Sequence, residues 1–289
     1  MYQTSKKLIF VGIAMLSSVA DAGDFSASTQ IYKVNKNIAN SSTLDAETTG
    51  AYAFLGYQKH SLELELDRQQ INNVNSQQDQ TIIYSNYQIP KWQLKVGTHR
   101  THFDTSDTSL NNYILSAQYT EYSPYGYALW LAGLELYSAD SAQFTNPLTA
   151  PVGSKLTQAS PYARKYFAAS TAGQYYYVEG RLNAQKFAQK VNGDDFYLSA
   201  ETSVGYGTPK WLVSANAILL GKNVNLLQKN GFVIQNDGFT HEKTYGIDVQ
   251  YQITTAAFVK ASITKQHYRD ALDNKNSFTN SGLFLGFNF

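Results

Sequence analysis

The chain has 289 residues, 23 basic and 22 acidic side chains, and no cysteine. Its near-zero net charge argues against a nucleic-acid partner, and the lack of cysteine excludes a small disulfide-stapled scaffold. Twenty-two tyrosines, 15 phenylalanines and 3 tryptophans accompany a negative mean hydropathy, as expected of a chain whose residues divide between two unlike environments.

Residues 1–22 read as a cleaved secretory signal peptide. Lys6 and Lys7 form its positive region, Leu8 to Leu16 its apolar core, and Ala20-Asp21-Ala22 its small-x-small cleavage site. The core is too short to span a membrane. Removing Lys6, Lys7 and Asp21 leaves 21 basic and 21 acidic residues in 23–289. No later window holds the 18 or more consecutive apolar residues of a membrane helix.

Strands are predicted from Phe25 onward. In 61–67, SLELELD, the leucines point one way and Glu63, Glu65 and Asp67 the other. In 176–183, Val178 and Leu182 oppose Glu179, Arg181 and Asn183; in 196–206, Leu198, Ala200 and Val204 oppose Ser199, Glu201 and Ser203. In 245–252, Tyr245, Ile247, Val249 and Tyr251 oppose Gly246, Asp248, Gln250 and Gln252. Strand side chains alternate with period two, so each segment has one apolar and one hydrophilic face. A soluble sandwich also alternates, so the connections carry more weight. Short ones fall near 57–60, 88–92, 123–126, 171–174, 207–210 and 253–255. Longer polar ones fall near 36–48, 73–80, 104–111, 140–158, 188–194, 222–242 and 270–276. Six short and seven long connections join 14 strands, within a range of 12 to 16. Tyr57, Tyr87, Trp92, Tyr122, Tyr127, Tyr175, Tyr206, Trp211 and Tyr251 flank the short connections, as an interfacial aromatic girdle would. Short turns at one end and long loops at the other are the pattern of an all-β, up-and-down transmembrane barrel.

The chain closes on SGLFLGFNF. An aromatic last residue with apolar residues at every second position before it, Leu283, Leu285, Phe287 and Phe289, resembles the assembly signal of Gram-negative outer-membrane β-barrels. The resemblance spans 23–289 in architecture and those four residues in motif. It implies export to the outer membrane, contact with outer-membrane lipid, and delivery to the barrel-assembly machinery. In strand number the chain resembles the fourteen-stranded monomeric porin type. Fourteen strands about 4.8 Å apart and tilted about 40° would close a ring of roughly 28 Å backbone diameter, wider than barrels that their own side chains fill.

No signature of a catalytic or metal site appears in the sequence, and no cofactor is implied. His99 and His102, three apart on a predicted strand, fall on opposite faces. The inner face is predicted to carry Glu63, Glu65, Asp67, Glu135, Glu179, Glu201 and Asp248 against Lys95, Arg181 and Lys260, with Arg164 undecided. As candidate pore-lining residues these favour cations weakly, since rings of like charge select ions by field. Pairing Tyr251 with Ala257 would set His241 opposite His267 at the outer barrel end, a candidate pH gate for the loop 222–242; both fall in the lipid-facing phase, so that arrangement needs either a bulge or a strand end above the membrane.

The leading expectation is a non-enzymatic, monomeric channel passing small hydrophilic solutes by diffusion. The segment 140–158 is long enough to fold inward as a constriction, which leaves a trimer open. Strand one at Phe25 leaves no place for a plug or periplasmic domain before it. The rival expectation is a receptor, adhesin or structural barrel with a plugged lumen; a third is an outer-membrane hydrolase, which would need a Ser–His or Asp–His constellation.

Overall fold

A computed structural model describes residues 25–39, 45–71, 75–104, 108–144, 152–168, 173–224, 227–228, 232–233, 239–270 and 273–289. The expected signal peptide, 1–22, lies outside the described residues.

Fourteen antiparallel strands form one closed barrel. They are β1 (Phe25–Ile38), β2 (Ala46–Tyr57), β3 (His60–Ile71), β4 (Asn75–Asn86), β5 (Trp92–Phe103), β6 (Thr108–Tyr122) and β7 (Ala128–Phe144), followed by β8 (Val152–Ala168), β9 (Tyr175–Val191), β10 (Asp194–Gly207), β11 (Trp211–Gly221), β14 (Thr240–Gln252), β15 (Ala257–Arg269) and β16 (Lys275–Asn288). Two short strands, β12 (Leu227–Gln228) and β13 (Phe232–Val233), form a separate two-stranded sheet in the β11–β14 connection. Each barrel strand pairs with its chain neighbours, and β1 pairs β16 from Ser28↔Asn288 to Ile38↔Phe278. Pairing runs to the last residue: the Phe289 amide donates to the Ala27 carbonyl at 2.8 Å. No edge remains, so the backbone is satisfied without water, as lipid requires.

The period-two pattern explains the wall. Leu66, Ile82, Val96, Leu115, Leu182, Leu198, Ile247, Ile263 and Leu283 are all exposed on the outside, an apolar belt that only lipid can cover. At the short-turn rim outward rings touch one another: Trp92–Tyr119 at 5.4 Å, Tyr119–Trp130 at 5.3 Å, Tyr176–Tyr206 at 4.8 Å and Trp211–Tyr251 at 4.5 Å between centroids. On β9 the girdle residue is Tyr176, not the expected Tyr175, whose ring turns inward over Gly207. Such inward rings need a partner without a side chain. A Cβ on Gly205 would fall 2.1 Å from the Tyr177 ring, and one on Gly286 2.1 Å from the Phe258 ring, each in a directly opposed pair.

The upper connections are shorter than their sequences suggest. The stretch 75–80, expected as loop, belongs to β4. Most of 140–158 is strand, with β7 ending at Phe144 and β8 starting at Val152; the possible constriction shrinks to 145–151, outside the described residues. The expected loop 188–194 is a two-residue turn, Asn192-Gly193, with φ of 50° and 95°, the Asn-Gly hairpin type. At about 2.6 Å of height per tilted residue, the 17-residue strands β7, β8 and β9 rise about 44 Å, well beyond an apolar band of about 25 Å. Above the band both strand faces meet water, so the outer face loses its apolar residues and reads as loop.

Candidate functional site

The inward phase of the strands builds a polar wall with two charged regions. The first spans β1 to β5. Glu65 and Asp67 project inward from β3, and the Tyr32 hydroxyl reaches them from β1, donating to Glu65 Oε1 at 2.6 Å and to Asp67 Oδ2 at 3.1 Å. One turn of the pleat lower, Glu63 Oε2 accepts from Tyr52 at 2.9 Å and Glu63 Oε1 lies 3.5 Å from Lys95 Nζ. Asp79 stands directly opposite Asp67 on β4. It accepts from Thr101 at 2.5 Å and Gln77 at 2.7 Å and lies 3.2 Å from His99 Nε2. Two opposed carboxylates repel, and Glu65 and Asp67 are held by a phenol rather than a cation. Asp79 escaped the sequence reading because 75–80 (NSQQDQ) has no apolar residue to reveal its phase.

The second region spans β7 to β10. Arg181 Nη1 donates to Glu135 Oε2 at 2.5 Å, and that carboxylate also accepts from Tyr137 at 2.5 Å. Arg164, undecided by sequence, faces inward: its Nη2 lies 2.6 Å and its Nε 2.9 Å from Glu179 Oε2. The guanidinium of Arg181 sits 4.4 Å from the Tyr162 ring centroid and that of Arg164 4.5 Å from Tyr177, so each arginine stacks on a ring while bonding a carboxylate. Glu201 lies directly opposite Arg181 on β10. On the far wall Asp248 and Lys260 pair at 3.3 Å. The predicted inner-face residues therefore share one interior; Glu63, Lys95, Glu135, Arg181, Glu179, Asp248 and Lys260 fall in local ion pairs, while Glu65 and Asp67 are held by the Tyr32 hydroxyl.

Toward the long-connection end the second region turns apolar. Ala139, Leu156, Phe187, Val191, Tyr197 and Val224 form one buried cluster. Val224 belongs to the segment after β11, which turns back into the barrel. Its amide donates to Gln185 Oε1 at 2.9 Å, and Asn223 pairs with the His241 backbone through bonds of 2.8 and 3.1 Å. Gln185 itself bonds Gln158 at 3.0 Å, and Gln158 bonds Ser160 at 2.9 Å, all fully buried.

The expected histidine pair does not form. Tyr251 pairs with Val259, not Ala257, and a bulge between His241 and Lys243 shifts the register again, so Lys243 faces His267. The extra residue turns His241 inward, where it is buried beside Tyr268 and Phe278. His267 stays outside and bonds the Tyr245 hydroxyl at 2.9 Å. The sheet lies between the two imidazoles, so they do not face each other.

His99 points inward and His102 outward, on opposite faces as expected. His102 Nδ1 lies 3.2 Å from Ser109 Oγ and its Nε2 3.7 Å from Asp104 Oδ1. The latter exceeds hydrogen-bond range, and Asp104 already accepts from Arg68 at 3.3 Å and Gln78 at 3.2 Å, so this is a polar rim network. Among the described residues no group of three His, Asp or Glu side chains is placed to hold a metal ion.

No protein-family model matches the chain, and no curated protein does. Among solved structures the chain is similar to the Ralstonia pickettii toluene transporter TbuX, at 8% identity over 93% of this chain and 90% of that one, with a TM-score of 0.50. It is also similar to a bacterial polysaccharide outer membrane secretin, at 9% identity over 91% and 98%, with a TM-score of 0.50. An outer membrane protein of Acinetobacter baumannii matches at 13% identity over 92% and 98%, with a TM-score of 0.47. At such identities the likeness is one of fold: a fourteen-stranded transmembrane barrel of the Gram-negative outer-membrane type.

Proposed function

We propose that this protein is a monomeric outer-membrane channel for small hydrophilic solutes, passed by diffusion, with a weak preference for cations. The observation that supports it is the acid cluster on β3 and β4, where Glu65 and Asp67 make no ion pair among the described residues and Asp79, beside His99, stands directly opposite Asp67. A cation passing there relieves the repulsion between opposed carboxylates, and the low-dielectric wall focuses the field. In planar bilayers under a salt gradient, the reversal potential should report cation preference at 0.1 M. The preference should fade at 1 M, as the Debye length shrinks from about 10 Å to about 3 Å. Glu65→Gln with Asp67→Asn should remove it. A clear anion preference in the wild type, or a double variant indistinguishable from it, would overturn this reading.

A second reading, a receptor or adhesin with a plugged lumen, draws support from the apolar cluster around Val224. Bilayer recordings separate the two: stepwise conductance from folded protein favours the channel, and silence favours the plug.

We further propose that residues 1–22 direct export and that Leu283, Leu285, Phe287 and Phe289 are read by the assembly machinery. Phe289 is half exposed at the seam between β1 and β16, so its ring is available while the barrel is closing. Deleting Phe289 should slow insertion and lower outer-membrane yield. Wild-type abundance and heat-modifiable migration of the deletion variant would refute this.

A further inference from the structure

On the outside of the barrel a groove of about 550 Å³ runs along β11, walled by Val204, Tyr245, Ile247 and Ile263 and floored by Ala215 and Ala217. It forms because β11 presents alanines where its neighbours β10, β14 and β15 present branched and aromatic side chains. Tyr245 is fixed by its bond to His267. Lys265 lines the upper end, directly opposite Tyr245, and Lys243 lies diagonally above it on β14. Lys265 stands eight residues above the turn-side end of β15, about 21 Å along the membrane normal at about 2.6 Å per residue. That is the upper boundary of the apolar band, at the long-connection side.

Several outward cations of the upper wall are paired. Lys33 lies 2.6 Å from Glu47 and Arg68 3.3 Å from Asp104, while Lys186 bonds Asp195. Lys243 and Lys265 make no ion pair among the described residues, and the nearby Glu242 is engaged by Arg269 at 2.6 Å. Diagonal neighbours on paired strands lie about 7–8 Å apart, so two bare ammonium groups repel above an apolar trough. An anion between them relieves that repulsion through charge-assisted hydrogen bonds, and a hydrocarbon chain below it fills the groove.

We propose that this face binds a phosphorylated, acylated lipid of the outer leaflet, with one acyl chain in the β11 groove and a phosphate between Lys243 and Lys265. Two lysines facing one anionic headgroup favour the phosphorylated lipid by about thirtyfold.

The test is native mass spectrometry of the folded, membrane-extracted protein. It is titrated with hexa-acylated bis-phosphorylated lipid A, with the same lipid A after dephosphorylation, and with dioleoylphosphatidylcholine. Wild type should retain the phosphorylated form about thirtyfold better than the other two. Lys243→Gln with Lys265→Gln should abolish that preference, and the double Lys→Arg variant should keep it. Ala217→Phe should lower retention of all three by filling the groove; if it fails to fold, the exposed lysine variants decide alone. Equal retention of phosphorylated and dephosphorylated lipid overturns the proposal, as does a Gln variant that behaves like wild type. A dimer that Ala217→Phe dissociates also overturns it, since a second copy would then cover this face.

Discussion

Arg181→Met is expected to destabilise the barrel by about 3–5 kcal/mol, the cost of leaving a buried charge without its partner. Arg181 and Glu135 are both buried and meet at 2.5 Å. Without the guanidinium, Glu135 retains the Tyr137 hydroxyl, which supplies a hydrogen bond but no charge. Glu179 suffers less, because Arg164 still holds it at 2.6 Å. Removing both charges, Arg181→Met with Glu135→Leu, should recover most of the loss, since an apolar pair of similar volume replaces an ion pair at little net cost. Urea unfolding in lipid vesicles, followed by tryptophan fluorescence, measures both variants. A single-variant loss below about 1 kcal/mol would mean that water screens this pair as it screens a surface salt bridge, and that the interior here is wet.

The second large effect is expected at the mouth. Val224 is fully buried against Leu156, Phe187 and Tyr197. Burying a valine contributes about 1.5–3 kcal/mol, and a carboxylate in its place adds a desolvation penalty. Val224→Asp should therefore unseat the segment after β11 from the inner wall. The lost valine contribution alone shifts the segment's occupancy tenfold or more, and the conductance of the variant should rise accordingly. Val224→Ile, which keeps the apolar contact, should conduct like wild type. If Val224→Asp folds and its conductance is unchanged, this cluster does not narrow the solute path.

How much of this was legible in the chain depends on height along the barrel. Inside the lipid band the sequence is explicit. Leu62 to Asp67 alternates because one face meets hydrocarbon and the other the interior, so Glu63, Glu65, Asp67, Glu135, Glu179, Arg181 and Glu201 could be placed from phase alone. The six turns were marked by aromatics that prefer the membrane interface, and the strand count and closure followed from them. Above the band water lies on both sides of the wall, the alternation fades, and strands such as 75–80 and 188–191 read as loop; Asp79 was lost with the first of them.

What only the tertiary structure decided is register and reach. Moving the Tyr251 partner from Ala257 to Val259, and adding one bulged residue after His241, put His241 and His267 on opposite sides of the sheet. The period of a strand is two, so a single extra residue exchanges inside for outside, and no local pattern announces it. The turn of Val224 back into the barrel depends on contacts with β8, β9 and β10. The two lysines over the β11 groove come together only through the register that sets Lys243 diagonal to Lys265. Alternation is a property of one strand and is written in its residues; pairing is a property of two strands and exists only once they meet.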